Sequence, residues 1–308
     1  MTVVDQMVAI ATERAGNAPA EAGRPGEGAE VTDRAGTLLM QVFDALDRDG
    51  LQYCVLHGYE TYPHRVPSDV DCLVPREMLP TRLGGLLRTQ ESLGRARVVQ
   101  WFEDRAHWIV LATREAGGTP PVLLQLHVGS DYDVRDRVIF TGDEVLRTRR
   151  RFRDRFWVPA AQVEFASLLA NRLAKGEFKE KHFRQLSSLW AEAPAACRGE
   201  LDRLLGAASA KTIAAAAEAG KWDAVVASAG PLRQKLLSAT AWRQPLSVAA
   251  RVVSGQLRRM RRWLSPQNGL HVVFLGPDGV GKSTVIEAVQ QRLSPAFLRC
   301  DYQTFARG

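Results

Sequence analysis

From Gly276 to Ser283 the chain reads Gly-Pro-Asp-Gly-Val-Gly-Lys-Ser, followed by Thr284, and this spacing of glycines, lysine and hydroxyl suits the holding of a phosphate chain. Gly276, Gly279 and Gly281 permit a tight backbone path whose N–H groups turn inward around an anion, with Asp278 and Val280 completing the loop. Lys282 would reach the outer phosphates of ATP, and Ser283 would offer its hydroxyl to Mg²⁺, a hard cation that takes oxygen ligands. The apolar run from His271 to Leu275 reads as a strand. Thr284 to Leu293 reads as a helix with Val285, Val289 and Leu293 on one face and its N-terminal dipole aimed at the anion. A Gly-rich turn that binds nothing is the plainer alternative; the order strand, loop, Lys-Ser, helix speaks against it.

A second constellation lies far upstream in Ser68-Asp-Val-Asp-Cys-Leu-Val74. On a strand Asp69 and Asp71 point to the same side, and two carboxylates projecting together from a strand end suit Mg²⁺ carrying a nucleoside triphosphate. The alternative is a solvated turn ahead of a buried strand.

The elements that must position these groups divide the chain into four parts. Residues 1–34 form a leader whose stretch from Ala15 to Glu30, rich in Gly, Ala, Pro and Glu, buries too little apolar surface to order itself. Residues 35–157 read as an α+β domain. It has a helix from Ala35 to Arg48, a strand from Leu51 to Gly58, the Ser68–Val74 strand, a helical stretch from Pro75 to Gln90, and strand-like runs at 97–102, 107–112 and 122–128. Residues 158–264 read as a helical domain, opening with a helix from Pro159 to Leu173. A basic bend of Lys175, Lys179, Lys181 and His182 follows, and would face a nucleotide or form a solvated corner. Residues 265–308 begin a further α/β domain behind the linker Ser265 to Gly269.

With 308 residues, 45% of them hydrophobic and 24% charged, the chain has ordinary globular composition. Its four cysteines are scattered, which predicts reduced thiols, a cytoplasmic protein and no structural zinc. No segment has the form of a signal peptide or membrane span. The net charge of +7 collects in arginine clusters at Arg147 to Arg155 and Arg258 to Arg262, without the aromatic interleaving of an RNA platform, so nucleic acid is not the expected partner. The second cluster lies on an amphipathic stretch that suits weak contact with an anionic membrane surface.

Residues 35–146, with Ser-Asp-x-Asp opening a strand after a helix, a strand ending in glycine and a loop, resemble the nucleotidyltransferase superfamily that includes the DNA polymerase β-like enzymes. That resemblance implies two-metal nucleotidyl transfer with a third carboxylate on a neighbouring strand. The matching place falls within Leu124 to Asp131, where His127 stands; an imidazole is a poor Mg²⁺ ligand but binds transition metals, and Asp131 or Asp133 could substitute from the following loop. The bland reading makes His127 and His57 hydrogen-bonded partners. The run from Phe274 to Thr284 resembles the Walker A opening of thymidylate kinase-like P-loop kinases, and the whole layout is similar to bacterial fusion proteins placed near surface-polysaccharide genes. This second resemblance implies ATP, Mg²⁺ and γ-phosphoryl transfer to an unidentified phosphoryl acceptor. The chain stops at Gly308, whereas such a domain typically needs about a hundred residues or more, so a longer parent is expected. Three readings follow in order: a P-loop phosphotransferase, a nucleotidyltransferase using Asp69 and Asp71, and a non-catalytic nucleotide-binding scaffold.

Overall fold

Asp33 opens the first helix, α1 (Arg34–Arg48), its carboxylate accepting the Ala35 N–H at 3.3 Å, and Gly50 at φ 64° turns the chain away after Asp49. Leu38, Leu39, Val42, Phe43 and Leu46 recur at helical spacing, and all are buried, as the sequence pattern requires. In this computed structural model the described residues are 33–89, 93–94, 96–113, 121–135, 137–243, 253–257, 260, 272–274 and 281–293. The helix packs closely on the loop that precedes the acidic pair: a Cβ at Gly36 would lie 1.7 Å from the Pro63 carbonyl oxygen.

The central sheet contains β1 (Cys54–Val55), β2 (Val70–Leu73), β3 (Ala96–Glu103), β4 (His107–Thr113) and β5 (Leu123–Gly129), in the order β1-β2-β5-β4-β3. Strands β2 and β5 run parallel, and the other pairs are antiparallel. The strand expected from Leu51 to Gly58 contracts to β1, because after Leu56 N–H bonds to the Asp71 carbonyl the chain turns at Gly58, φ 74°. The helix expected from Pro75 to Gln90 splits into a 3₁₀ turn (Arg76–Met78) and α2 (Thr81–Arg88). Pro80 holds Leu79 in an extended conformation and interrupts the run.

Beyond β5 come structures that apolar periodicity did not announce: a hairpin of β6 (Asp131–Val134) and β7 (Arg137–Thr141), helix α3 (Gly142–Thr148), and a hairpin of β8 (Arg150–Phe152) and β9 (Phe156–Val158). A capping box between Thr141 and Glu144 starts α3. Within the described stretch 159–243 the helices are α4 (Ala161–Lys175), α5 (Glu180–Glu192), α6 (Pro194–Leu205), α7 (Ala207–Ala219), α8 (Asp223–Ala227) and α9 (Ala229–Arg243). Helix α4 ends at Gly176, φ 74°, whose N–H returns to the Arg172 carbonyl. The described chain is therefore mixed α/β, with a small mixed sheet and a helical half.

Two apolar clusters cover the two faces of the sheet. One joins α1 and α2 to Val55, Val70, Cys72, Leu124, Leu126 and Val128; the other starts at Cys54 and Leu73 and runs through Tyr132, Phe140 and Val145 into the helices from α4 onward. Strand alternation assigns the sides: with Val70 and Cys72 in the first cluster, Asp71 and Leu73 face the helical half. By the same alternation, His127 between Leu126 and Val128 faces that half too.

Gly276, Asp278, Gly279 and Val280 lie outside the described residues, as do Arg258, Arg259, Arg261 and Arg262, residues 265–269 and residues 1–32. A helix does follow the glycine-rich loop: α10 (Lys282–Leu293) begins directly after Gly281 at φ 87°. The strand expected before the loop is not formed at Val272–Phe274, where Val272 and Val273 are 50% and 63% exposed and pair with no strand among the described residues. Val285, one of the residues spaced to share a face of α10, is likewise exposed. No helix among the described residues is long and apolar enough to cross a membrane. Cys54, Cys72 and Cys197 are buried free thiols.

Candidate metal centre

Asp71 sits within β2, Asp69 one residue ahead of that strand, and the parallel register sets Asp71 directly across from His127 on β5. One ligand atom from each of Asp69, Asp71 and His127 can be chosen so that all lie within 4.8 Å of one another. The imidazole Nδ1 of His127 is 2.6 Å from Asp71 Oδ1, while His57 brings Nε2 to 3.5 Å from the other oxygen. Trp108, opposite His127 on β4, stacks on the imidazole with centroids 4.4 Å apart and fixes its plane. Burial raises the Asp69 carboxyl above its ordinary range, the charge of Asp71 adds to the rise, and His127 and His57 oppose it.

Asp71 and His127, though not Asp69, line a pocket of about 550 Å³ together with His57, Arg76, Asp131 and Asn171, among others. Asp131, weighed from sequence as a substitute third carboxylate, opens β6 and is committed elsewhere. It meets Arg76 at 2.7 Å and accepts the Gly142 N–H at 3.1 Å. Asp133 also lines the pocket but stands outside the three-residue group, in which His127 is the third member. Lys282, Ser283 and Thr284 form the first turn of α10 with Gly281 before it, and none of these lines this pocket.

Sequence reasoning missed Arg76, Trp108 and Asn171. Arg76 follows Pro75 at the end of β2, a position from which a side chain can reach the loop beyond the parallel partner β5, but a lone arginine carries no pattern. The basic bend is where the sequence placed it. His182 is buried in the first turn of α5, its Nδ1 accepting the Lys179 N–H at 3.0 Å. Burial and the cations of Arg172, Lys181, Lys179 and Lys175 push His182 down to about 4, so it is neutral at pH 7.

No protein-family model and no curated protein matches the chain. Among solved structures, it is similar to JHP933 from Helicobacter pylori with a TM-score of 0.35 and 10% identity, covering 75% of this chain and 99% of that one. It is also similar to an H. pylori protein described as a "putative nucleotidyltransferase", with a TM-score of 0.30 and 11% identity over 66% of this chain and 95% of the other.

Two carboxylates and one imidazole form a mixed oxygen and nitrogen donor set. Such a set holds divalent cations with some nitrogen affinity, such as Mn²⁺ or Zn²⁺, better than Mg²⁺, which prefers oxygen. Burial is the first cause of the raised Asp69 carboxyl and the neighbouring Asp71 charge the second, and a cation between the two carboxylates would offset that second contribution.

Proposed function

We propose that the chain is a nucleotidyltransferase-type enzyme in which Asp69, Asp71 and His127 hold a divalent cation and, through it, a nucleoside triphosphate. The observation that supports this is the convergence of the three ligand atoms within 4.8 Å, two of the residues, Asp71 and His127, lining a pocket of nucleotide size. When bound, the cation supplies charge neutralisation of the phosphates. Asp71 is oriented by His57, and His127 is held flat against Trp108, so the protein sets the ligand directions before the ion arrives. In the transfer, an acceptor hydroxyl gives up its proton to solvent as its oxygen bonds to the α-phosphorus, the bond from that phosphorus to the oxygen bridging to the β-phosphate breaks, and pyrophosphate leaves. The acceptor is a hydroxyl-bearing molecule that enters beside the nucleotide.

Labelled nucleoside triphosphates incubated with the protein, Mn²⁺, Mg²⁺ or Zn²⁺ and a panel of hydroxyl acceptors test this directly. Incorporation is expected for wild type and absent for Asp69→Asn with Asp71→Asn. Mn²⁺ binding followed by electron paramagnetic resonance should fall at least about tenfold in Asp71→Asn. A wild-type protein that binds no divalent cation would overturn the reading.

A second reading keeps the P-loop as a separate ATP and Mg²⁺ site, and α10 beginning directly behind Gly281 at φ 87° supports it. Lys282→Ala should then abolish Mg-ATP binding at that loop, while the double Asn variant leaves it intact. Wild type that transfers no nucleotide with any metal tried favours the scaffold reading. In that case the 2.6 Å contact between His127 and Asp71 stands where a cation would.

A further inference from the structure

Arg149 and Arg172 each bury Nε without a hydrogen-bond partner among the described residues. Arg149 is otherwise engaged, donating to the Leu146 carbonyl at 2.6 Å and lying over the Trp157 ring at 4.6 Å. Arg172 is not: half-buried in the last turn of α4, its guanidinium makes no hydrogen bond or ion pair among the described residues. Lys175, three positions on and so on the same helix face, is also without one. Both follow Asn171, which lines the pocket at Asp71; neither lines it directly, and Lys175, four positions after Asn171, shares its face of α4.

The C-terminal turn of a helix favours cations through its dipole. That dipole does not give the buried Nε of Arg172 an acceptor, and it does not account for Lys179 and Lys181 gathering with Arg172 and Lys175 around the neutral His182. Glu177 lies close enough to offset part of this charge. A guanidinium presents a planar fork of donors that matches two oxygens of one phosphate, and an ammonium beside it adds a movable donor.

We propose that Arg172 and Lys175 form an anion subsite for a phosphate group of the substrate, beyond Asn171 on the α4 side of the pocket that Asp71 and His127 line. The proposal rests on the nucleotidyl-transfer reading only for which phosphate it serves, the triphosphate tail of the donor or a phosphorylated acceptor.

The test is titration calorimetry of inorganic tripolyphosphate into the full chain, in low salt with EDTA and no divalent cation. Wild type is expected to bind, and Arg172→Gln with Lys175→Gln to weaken binding roughly ten- to a hundredfold. Lys211→Gln, an exposed change on α7, should not alter it. Asp69→Asn with Asp71→Asn should bind as tightly as wild type or more so, which separates this subsite from failure of the metal reading. Should the double Gln variant not fold, Arg172→Lys keeps the charge, loses the fork and should bind with intermediate affinity. With active protein, a raised KM for the nucleotide assigns the donor tail, and a raised KM for a phosphorylated acceptor alone assigns the acceptor. Wild type that does not bind tripolyphosphate, or variants that bind it equally and lose only thermal stability, would leave these cations as helix-end residues and overturn the proposal.

Discussion

Glu164 is 4% exposed in the first turn of α4, and its two oxygens accept the Tyr59 hydroxyl at 2.5 Å and the Gln185 amide at 3.1 Å. Burial pushes its carboxyl up from 4.5 to about 7, against the pull of the two hydrogen bonds. A raised value means that the folded state holds the proton more tightly than the unfolded state. Its stabilising contribution is then complete below pH 4.5 and lost as pH rises through about 7, a change on the order of 3 kcal/mol. Urea unfolding at pH 5 and pH 8 should show Glu164→Gln gaining on wild type at the higher pH. An equal difference at both would mean that the folded carboxyl is already ionised at pH 5. At the metal centre, His127→Asp should lower the preference for Zn²⁺ over Mg²⁺ by about tenfold or more in competition calorimetry, because a third carboxylate replaces the nitrogen donor. Asp69 and Asp71 were legible because alternation alone sets two residues on one side of a strand. Arg172 and Arg76 were not, since an arginine's worth depends on which acceptors the fold brings or withholds.

The elements carry their own constraints, and Gly142 shows one. A Cβ there would lie 2.1 Å from the Ser130 carbonyl oxygen, while its N–H donates to Asp131, so α3 docks against the pocket rim only with glycine at its start. Gly142→Ala is expected to cost about 1–3 kcal/mol in urea unfolding and to release the Arg76–Asp131 pair. Strands β3, β4 and β5 could be read from their apolar runs. The β6–β7 and β8–β9 hairpins could not, because strands such as Arg150-Arg-Phe152 and Asp131-Tyr-Asp-Val134 are short and carry charge where a pattern would need apolar residues. The arginines from Arg147 to Arg155, read as a solvated face, include structural members. Arg149 and Arg151 both lie over Trp157, Arg151 reaches Asp47 at 3.1 Å, and Arg150 reaches Glu192 at 2.6 Å. Trp157 was visible as an aromatic, yet nothing local announced that two guanidinium groups would stack on it.

For the molecule as a whole, the apolar cluster that begins at Cys54 and Leu73 continues through β6, β7 and α3 into the helices, so the sheet and the helical half share one interior. A fragment of residues 33–158 would expose Tyr132, Phe140 and Val145 to water. It should bind 8-anilinonaphthalene-1-sulfonate and melt without a cooperative transition, whereas residues 33–243 should unfold in one calorimetric step. Two independent transitions in the longer chain would show that the shared interior contributes little. The apolar cover of α1 and the helical character beyond Val158 were readable from periodicity, but the continuity between halves was not, because it joins residues about a hundred positions apart. The glycine-rich loop dominated the sequence because its spacing is so specific, whereas the acidic pair gained weight only when folding set His127 beside it. At the far border of the sheet, β3 slips register between Val98 and Gln100, leaving Val99 56% exposed and without a partner on β4. An extended segment from a neighbouring molecule could not zip evenly along so kinked a margin, which protects crowded solutions of this protein against fibrous association.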